Sequence, residues 1–191
     1  MPDADPRPAP AGGTLTWRHV PRGGTDYWRV VGQDWADPAD TSFSKKYGGR
    51  WNPAGTFGVL YLNATLEVAR ANARLHLAKN GLEVDDLKPG AGPDLVAFSV
   101  DLCAVVDIVT GDGVRACGLP DEYPDGVDHP PCQKLGAAFH AAGETGLACR
   151  SASECPGPGA YVGEEVPLFD HADGTLPAAG TRVRFDEWYF G

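Results

Sequence analysis

Short apolar segments separated by turn-forming residues dominate the pattern along this chain. The run Val59-Leu60-Tyr61-Leu62 is continuously apolar, as expected of a strand that is buried on both faces. Other runs are rich in β-branched and aromatic residues, which favour strands. They predict two strands within 15–31, two within 94–109, and one each at 146–151, 162–169 and 181–190.

Two segments have the spacing of helices. Within 66–79, Leu66, Ala69, Ala73 and Leu77 fall roughly on one face, Thr65 is a suitable N-cap, and Asn80-Gly81 closes the segment. A second helix is predicted at 133–142. Residues 32–49 and 110–131 are expected to be irregular, 156–159 to form a turn, and 1–13 to be a flexible tail. Because helices and strands do not alternate regularly, the pattern predicts an α+β fold in one domain at 14–191.

Composition and charge narrow the classes of function. The net charge is −10, which argues against direct binding to DNA or RNA, although a few local cations could still bind a small anion. Five cysteines without a CxxC spacing make a zinc site improbable, and no metal is expected. No signal sequence or membrane-spanning segment is apparent, so the sequence predicts a cytoplasmic protein with reduced thiols and no membrane partner.

The most informative segment is residues 48–55, which precede the apolar strand. Gly48-Gly49 permits a sharp bend or a close approach to a ligand, and the guanidinium of Arg50 suits phosphate. Tyr61 on the next strand could stack or donate a hydrogen bond. The segment could therefore be a nucleotide cradle. On these grounds alone, it could equally be a glycine turn with a surface arginine and a core tryptophan.

The segment GGRWNPAGTFGVLYL resembles the signature of the RES-domain family. Weaker similarities follow in the expected order: YWRV at 27–30, the helix after Tyr61, GLACRS at 146–151 and EVPLF at 165–169. The resemblance implies an ADP-ribosyltransferase-like fold, with a split mixed β-sheet and a few flanking helices. It also implies a toxin that degrades NAD⁺, in some members with inorganic phosphate as co-substrate, and causes growth arrest. A cognate antitoxin of the Xre-like DNA-binding type and a homodimer are further expectations.

Carried over to this chain, the resemblance implies that Arg29 and Arg50 hold the phosphate side of NAD⁺. Tyr61 is expected at the nicotinamide–ribose end, and Ser151 is expected to position a ribose or phosphate hydroxyl. Arg150, beside it, is a further candidate for a phosphate contact. The catalytic glutamate of the family aligns with Asn72. A carboxylate stabilises the positive charge that develops on ribose as nicotinamide leaves, which an uncharged amide cannot do.

Asn72 therefore leaves two functions open. The chain could be an enzyme that cleaves NAD⁺, with phosphate, water or a protein side chain as acceptor. It could instead bind NAD⁺ or a related nucleotide without turnover, as a sensor or a partner-binding module. Glu67 lies about 140° around the helix axis from Asn72 and is not expected to replace the missing catalytic acid. Glu164 and Glu165 on a later strand are other candidate acids, and the helix alignment itself could be shifted.

Overall fold

The computed structural model describes residues 16–101, 103–154 and 161–191. The predicted tail at 1–13 and the predicted turn at 156–159 lie outside these ranges. Within them, no helix combines the length and the apolar character that crossing a membrane requires.

The described residues contain eight strands, which form one mixed sheet. They are β1 (His19–Arg22), β2 (Thr25–Val31), β3 (Gly58–Asn63), β4 (Asp94–Val100), β5 (Cys103–Ile108), β6 (Leu147–Arg150), β7 (Glu164–Asp170) and β8 (Ala179–Val183). Their order is β1-β5-β6-β7-β3-β2-β4-β8. Neighbouring strands are antiparallel except for the parallel pair β5 and β6. With only a few helices around this sheet, the predicted α+β class is confirmed.

The sheet is almost divided between β3 and β2. The pairing described between these strands is limited to Trp28 and Asn63. By contrast, β3 pairs with β7 along its whole length, from Gly58 to Asn63. The side chain of Asn63 strengthens the weak junction, because its Nδ2 donates to the carbonyl oxygen of Trp28 at 2.8 Å.

In the described part of the chain, five α-helices and a 3-10 turn (Val84–Asp86) surround the sheet. The α-helices are α1 (Ser42–Tyr47), α2 (Leu66–Lys79), α3 (Gly111–Ala116), α4 (His129–Ala141) and α5 (Phe185–Phe190). The second has the predicted limits, and the hydroxyl of Thr65 accepts a hydrogen bond from the Val68 amide as an N-cap should. Its buried face, with Ala69 and Ala73, packs on Trp28 and on α5.

Four segments differ from the sequence-based expectation. The predicted loops at 32–49 and 110–131 contain the one- to two-turn helices α1 and α3. The predicted helix at 133–142 begins earlier, at His129, because prolines are tolerated in the first turn, where the N–H groups have no helical partner. The predicted strand at 181–190 is wrong beyond Val183. Phe185, Trp188 and Tyr189 have i, i+3, i+4 spacing and pack as one helical face.

Two apolar clusters cover the central strands, one on each face. One contains Trp51, Val59, Cys149 and Phe169, covered by Phe139 of α4. The opposite cluster contains residues from the alternate positions of the same strands, including Leu60, Leu62, Val166 and Leu168. The candidate site lies on the first of these two faces, beside the junction of β3 and β2.

Candidate functional site

A loop at residues 48–57, here called the Arg50 loop, connects α1 to β3 and is fixed from within. The fully buried Asn52 donates through Nδ2 to the carbonyl oxygens of Ser44, at 2.7 Å, and Phe57, at 3.0 Å. Trp51 is also buried and belongs to the core. Gly48 has a φ of 75°, which explains the need for glycine at the start of the loop. Much of the signature at 48–55 is therefore structural.

Tyr61 ties the Arg50 loop to the sheet. Its hydroxyl accepts from the backbone N–H of Trp51 at 2.9 Å and donates to Oδ1 of Asn52 at 3.0 Å. Burial raises the pKa of Tyr61, so the hydroxyl stays protonated and remains a donor. Gly49 packs so closely on this ring that a Cβ there would lie 2.4 Å from the tyrosine oxygen. The phenol of Tyr61 is consequently occupied in positioning the loop.

Arg50 projects from this loop toward an open cavity of about 310 Å³. Its Nη1 donates to the carbonyl oxygen of Val127 at 2.9 Å. Within the described residues, Nε and Nη2 make no hydrogen bond, so they remain available as donors. The cavity is also lined by Pro124, Asp125, Gly126, Val127, Asp128 and Ala152. Among the described lining residues Arg50 is the one cation, and Asp125 and Asp128 are acidic, so only the Arg50 end of the cavity suits an anion.

A carboxylate lies close to the predicted site residues on the same face of the sheet. Glu165 on β7 is directly opposite Asn63 on β3 and Cys149 on β6. Its Oε1 accepts hydrogen bonds from the Ser151 hydroxyl at 2.8 Å and from Nδ2 of Asn72 at 3.3 Å. The Asn72 amide also donates to Oδ1 of Asn63. Asn72 of α2 and Ser151 at the end of β6 thus converge on the carboxyl group of Glu165, and Asn63 of β3 holds the Asn72 amide.

The electrostatics of Glu165 reflect this environment. Burial of its carboxyl group raises the pKa of Glu165, although the residue keeps some contact with solvent. Hydrogen bonds from Ser151 and Asn72 and the positive charge of Arg50 offset part of that increase. The carboxyl group of Glu165 is thus surrounded by fixed hydrogen-bond donors, and the charge of Arg50 favours its ionised form.

Some of the predicted site residues lie on the same face of the sheet as Glu165, and others do not. Arg50, Tyr61, Asn72 and Ser151 lie on the face that holds Glu165. Ser151 is fully buried, with its hydroxyl committed to Glu165 and to Ser153, so it positions the carboxylate instead of presenting a free hydroxyl.

Arg29, predicted to hold the phosphate side of NAD⁺, and Arg150, a further candidate, both lie apart from Glu165 in the structure. Trp28 pairs with Asn63, so the next side chain, Arg29, points to the opposite face of the sheet. There it donates to the carbonyl oxygens of Pro38 and Asp40 and stacks on Trp35. Burial lowers the pKa of Arg29 to about 10. Arg150 donates to three backbone carbonyls and stacks on Tyr161.

The other candidate acids are also accounted for. Glu67 is exposed in the first turn of α2, away from the cluster, as its position around the helix predicted. Glu164 alternates with Glu165 along β7 and forms an ion pair with Arg22, with 2.8 Å between Nη2 and Oε2. Because side chains alternate along a strand, the sequence indicates that these two glutamates face opposite sides of the sheet. Only the strand register shows which one faces Asn72.

Comparisons with known proteins were made on this sequence and fold. The family model of the RES domain matches residues 26–185. A search of curated proteins found no significant match. Among solved structures, a chain in the crystal structure of the M. tuberculosis MbcT–MbcA toxin–antitoxin complex is similar, with a TM-score of 0.72 and 19% sequence identity. The match covers 87% of this chain and 89% of that chain.

Proposed function

Because the chain belongs to the RES-domain family, we propose that it binds NAD⁺ and cleaves the bond between nicotinamide and ribose. One observation carries this proposal. Asn72 and Ser151, which are distant in sequence, both donate to the carboxyl group of Glu165, Tyr61 lies on the same face of the sheet, and Arg50 lines an open cavity together with Ala152. This arrangement provides a phosphate ligand and a carboxylate within one site.

The chemistry assigned to the site is a substitution at C1′ of the nicotinamide ribose. The bond from C1′ to the pyridinium nitrogen breaks, and its electron pair leaves with nicotinamide, which becomes neutral. A bond forms between C1′ and an oxygen of the acceptor. With inorganic phosphate the product is a phosphorylated ADP-ribose, and with water it is ADP-ribose plus a proton. We take NAD⁺ and phosphate as the substrates to test first, with transfer to a protein as the third acceptor.

Arg50 is the residue that would bind the diphosphate of NAD⁺. One guanidinium nitrogen of Arg50 donates to the carbonyl oxygen of Val127, which fixes the orientation of the guanidinium group. Among the described residues, the other two nitrogens have no partner and could form the paired hydrogen bonds that arginine makes with phosphate oxygens. This arrangement favours a site prepared for an anion over a solvated surface arginine.

In a bacterial cell, this activity would deplete NAD⁺ and stop growth. We also propose that the chain is a toxin held inactive by a cognate antitoxin. The antitoxin is expected to be of the Xre-like DNA-binding type, and the toxin itself is expected to be a homodimer. The structural similarity to a chain of a toxin–antitoxin complex supports the proposed partner.

Induced expression in bacteria tests this function. Cellular NAD⁺ should fall before growth slows, whereas an Arg50→Ala variant at equal soluble abundance should leave both unchanged. An Arg29→Lys variant is the control, because Arg29 lies on the opposite face of the sheet, and it should remain toxic. Growth arrest with normal NAD⁺, or equal toxicity of Arg50→Ala, would contradict the proposal.

A further inference from the structure

The carboxyl group of Glu165 and the side chain at position 72 of α2 lie in the same place on the sheet face. Nδ2 of Asn72 lies 3.3 Å from Oε1 of Glu165, so the two side chains reach the same point from α2 and from β7. Two ionised carboxylates at this distance would repel each other and raise each other's pKa. An amide at 72 avoids this repulsion, since it donates a hydrogen bond to the acid.

The hydrogen bonds that the described residues make to Glu165 all reach one oxygen of its carboxylate. Oε1 is held by Ser151 and Asn72, which fix the plane and direction of the group. No hydrogen bond reaches Oε2 from the rest of the described chain. The residue also remains partly accessible to solvent. A carboxylate held by one oxygen, in a residue that is only partly buried, can face a bound ligand with its other oxygen.

The placement of Glu165 relative to Arg50 also fits a substrate-binding role. The charge of Arg50 lowers the pKa of Glu165, yet no ion pair between them is formed. Ala152, directly after Ser151, lines the same cavity as Arg50. The cation proposed for a diphosphate therefore borders this cavity, and the anion proposed for a ribose is held by Ser151, the chain neighbour of another lining residue.

We propose that Glu165 is the catalytic carboxylate of this chain, supplied by β7 in place of an acid on α2. This inference rests on the proposed NAD⁺ cleavage. As the electron pair of the C1′–N bond leaves with nicotinamide, positive charge develops on C1′ and the ring oxygen of ribose. The ionised carboxylate of Glu165 stabilises that charge until the acceptor oxygen bonds to C1′. Asn72 and Ser151 are positioning residues that hold Oε1.

A purely structural role for Glu165 predicts a different behaviour. In that case, the group would serve only to connect α2, β6 and β7, and its substitution would lower stability and activity together. A catalytic role predicts a loss of rate in a protein that is at least as stable as the wild type. Glu165→Gln preserves the shape and an acceptor oxygen for Ser151 and Asn72, so the two roles can be separated.

The experiment measures nicotinamide release by purified wild-type protein, Glu165→Gln and Glu164→Gln, together with the melting temperature of each. Glu164→Gln is the matched control, because it removes the same charge from the same strand on the opposite face. Glu165→Gln should lose about a hundredfold or more in kcat, the usual cost of a lost preorganised electrostatic contact. Glu164→Gln should retain most of the rate.

A double variant, Asn72→Glu with Glu165→Gln, returns the acid to the helix. Its kcat should be at least tenfold higher than that of Glu165→Gln alone. Turnover by the wild type that persists in Glu165→Gln would overturn this inference and leave the proposed function standing. Absence of turnover by folded wild-type protein would refute the proposed function and this inference with it.

Discussion

Replacing Tyr61 with phenylalanine tests whether the Arg50 loop is held to the sheet by one hydroxyl group. The substitution keeps the ring and removes only the oxygen. That oxygen accepts from the Trp51 amide at 2.9 Å and donates to Oδ1 of Asn52 at 3.0 Å. Trp51 and Asn52 are both buried, so neither lost partner is readily replaced by water.

The expected cost follows from these two contacts. An unsatisfied buried donor costs about 1–3 kcal/mol, and an ordinary hydrogen bond contributes about 1 kcal/mol. Tyr61→Phe should therefore lower the free energy of unfolding by about 2–4 kcal/mol. For a chain of this size, that corresponds to a decrease in melting temperature of roughly 5–15 °C. Urea unfolding followed by tryptophan fluorescence measures the change directly.

Tyr161→Phe is the matched control for this measurement. The Tyr161 hydroxyl donates to the carbonyl oxygen of Val109 at 3.0 Å, but that carbonyl also accepts from Nε of Arg150 at 2.9 Å. Removing this hydroxyl leaves no buried group without a partner, so the cost should be about 1 kcal/mol or less. Equal losses in the two variants, or no loss in Tyr61→Phe, would refute the assigned role of Tyr61.

Three other predictions concern packing, pH and binding. In Gly136→Ala, the new Cβ would lie 1.9 Å from the carbonyl oxygen of Trp51. Urea unfolding should therefore show a free energy of unfolding lower by about 1–3 kcal/mol, despite the helix preference of alanine. A higher free energy of unfolding would contradict this packing. Glu165→Gln should be more stable than wild type at pH 7, because ionising a carboxyl with a raised pKa costs stability. This advantage should disappear below about pH 4, where the group is protonated in both folded and unfolded chains. Thermal melts across pH measure the difference in melting temperature between variant and wild type, and a difference that does not change with pH would contradict the reasoning. Arg50→Lys should weaken NAD⁺ binding about tenfold in calorimetry through loss of the paired guanidinium contact, whereas Arg29→Lys should leave the affinity unchanged.

Features set by local sequence were predictable. The limits of α2 follow from the Thr65 cap, the spacing of its apolar residues and the closing Asn80-Gly81. The strand β3 follows from its continuous apolar run. By contrast, α5 was predicted as a strand because its aromatic residues favour strands in general, and its helical form depends on packing against α2 and β4.

The composition of the site could be predicted only in part. Arg50, Tyr61 and Asn72 lie within one continuous segment of the chain, and their resemblance to a known signature identifies them together. The contact between Asn72 and Glu165 joins residues 93 positions apart and depends on the register of β7 against β3. A shift of one residue in that register would bring Glu164 to this face instead. The same dependence on register moved Arg29 to the other side of the sheet.

The central claim is that this chain cleaves NAD⁺ even though Asn72 occupies the position of the expected acid. The most direct measurement is NAD⁺ consumption by purified protein, with and without inorganic phosphate, with product masses recorded. We predict release of nicotinamide together with a phosphorylated ADP-ribose when phosphate is present, or ADP-ribose when water is the acceptor. Measurable NAD⁺ binding with no release of nicotinamide under either condition would contradict the claim and would identify a nucleotide-binding protein without turnover.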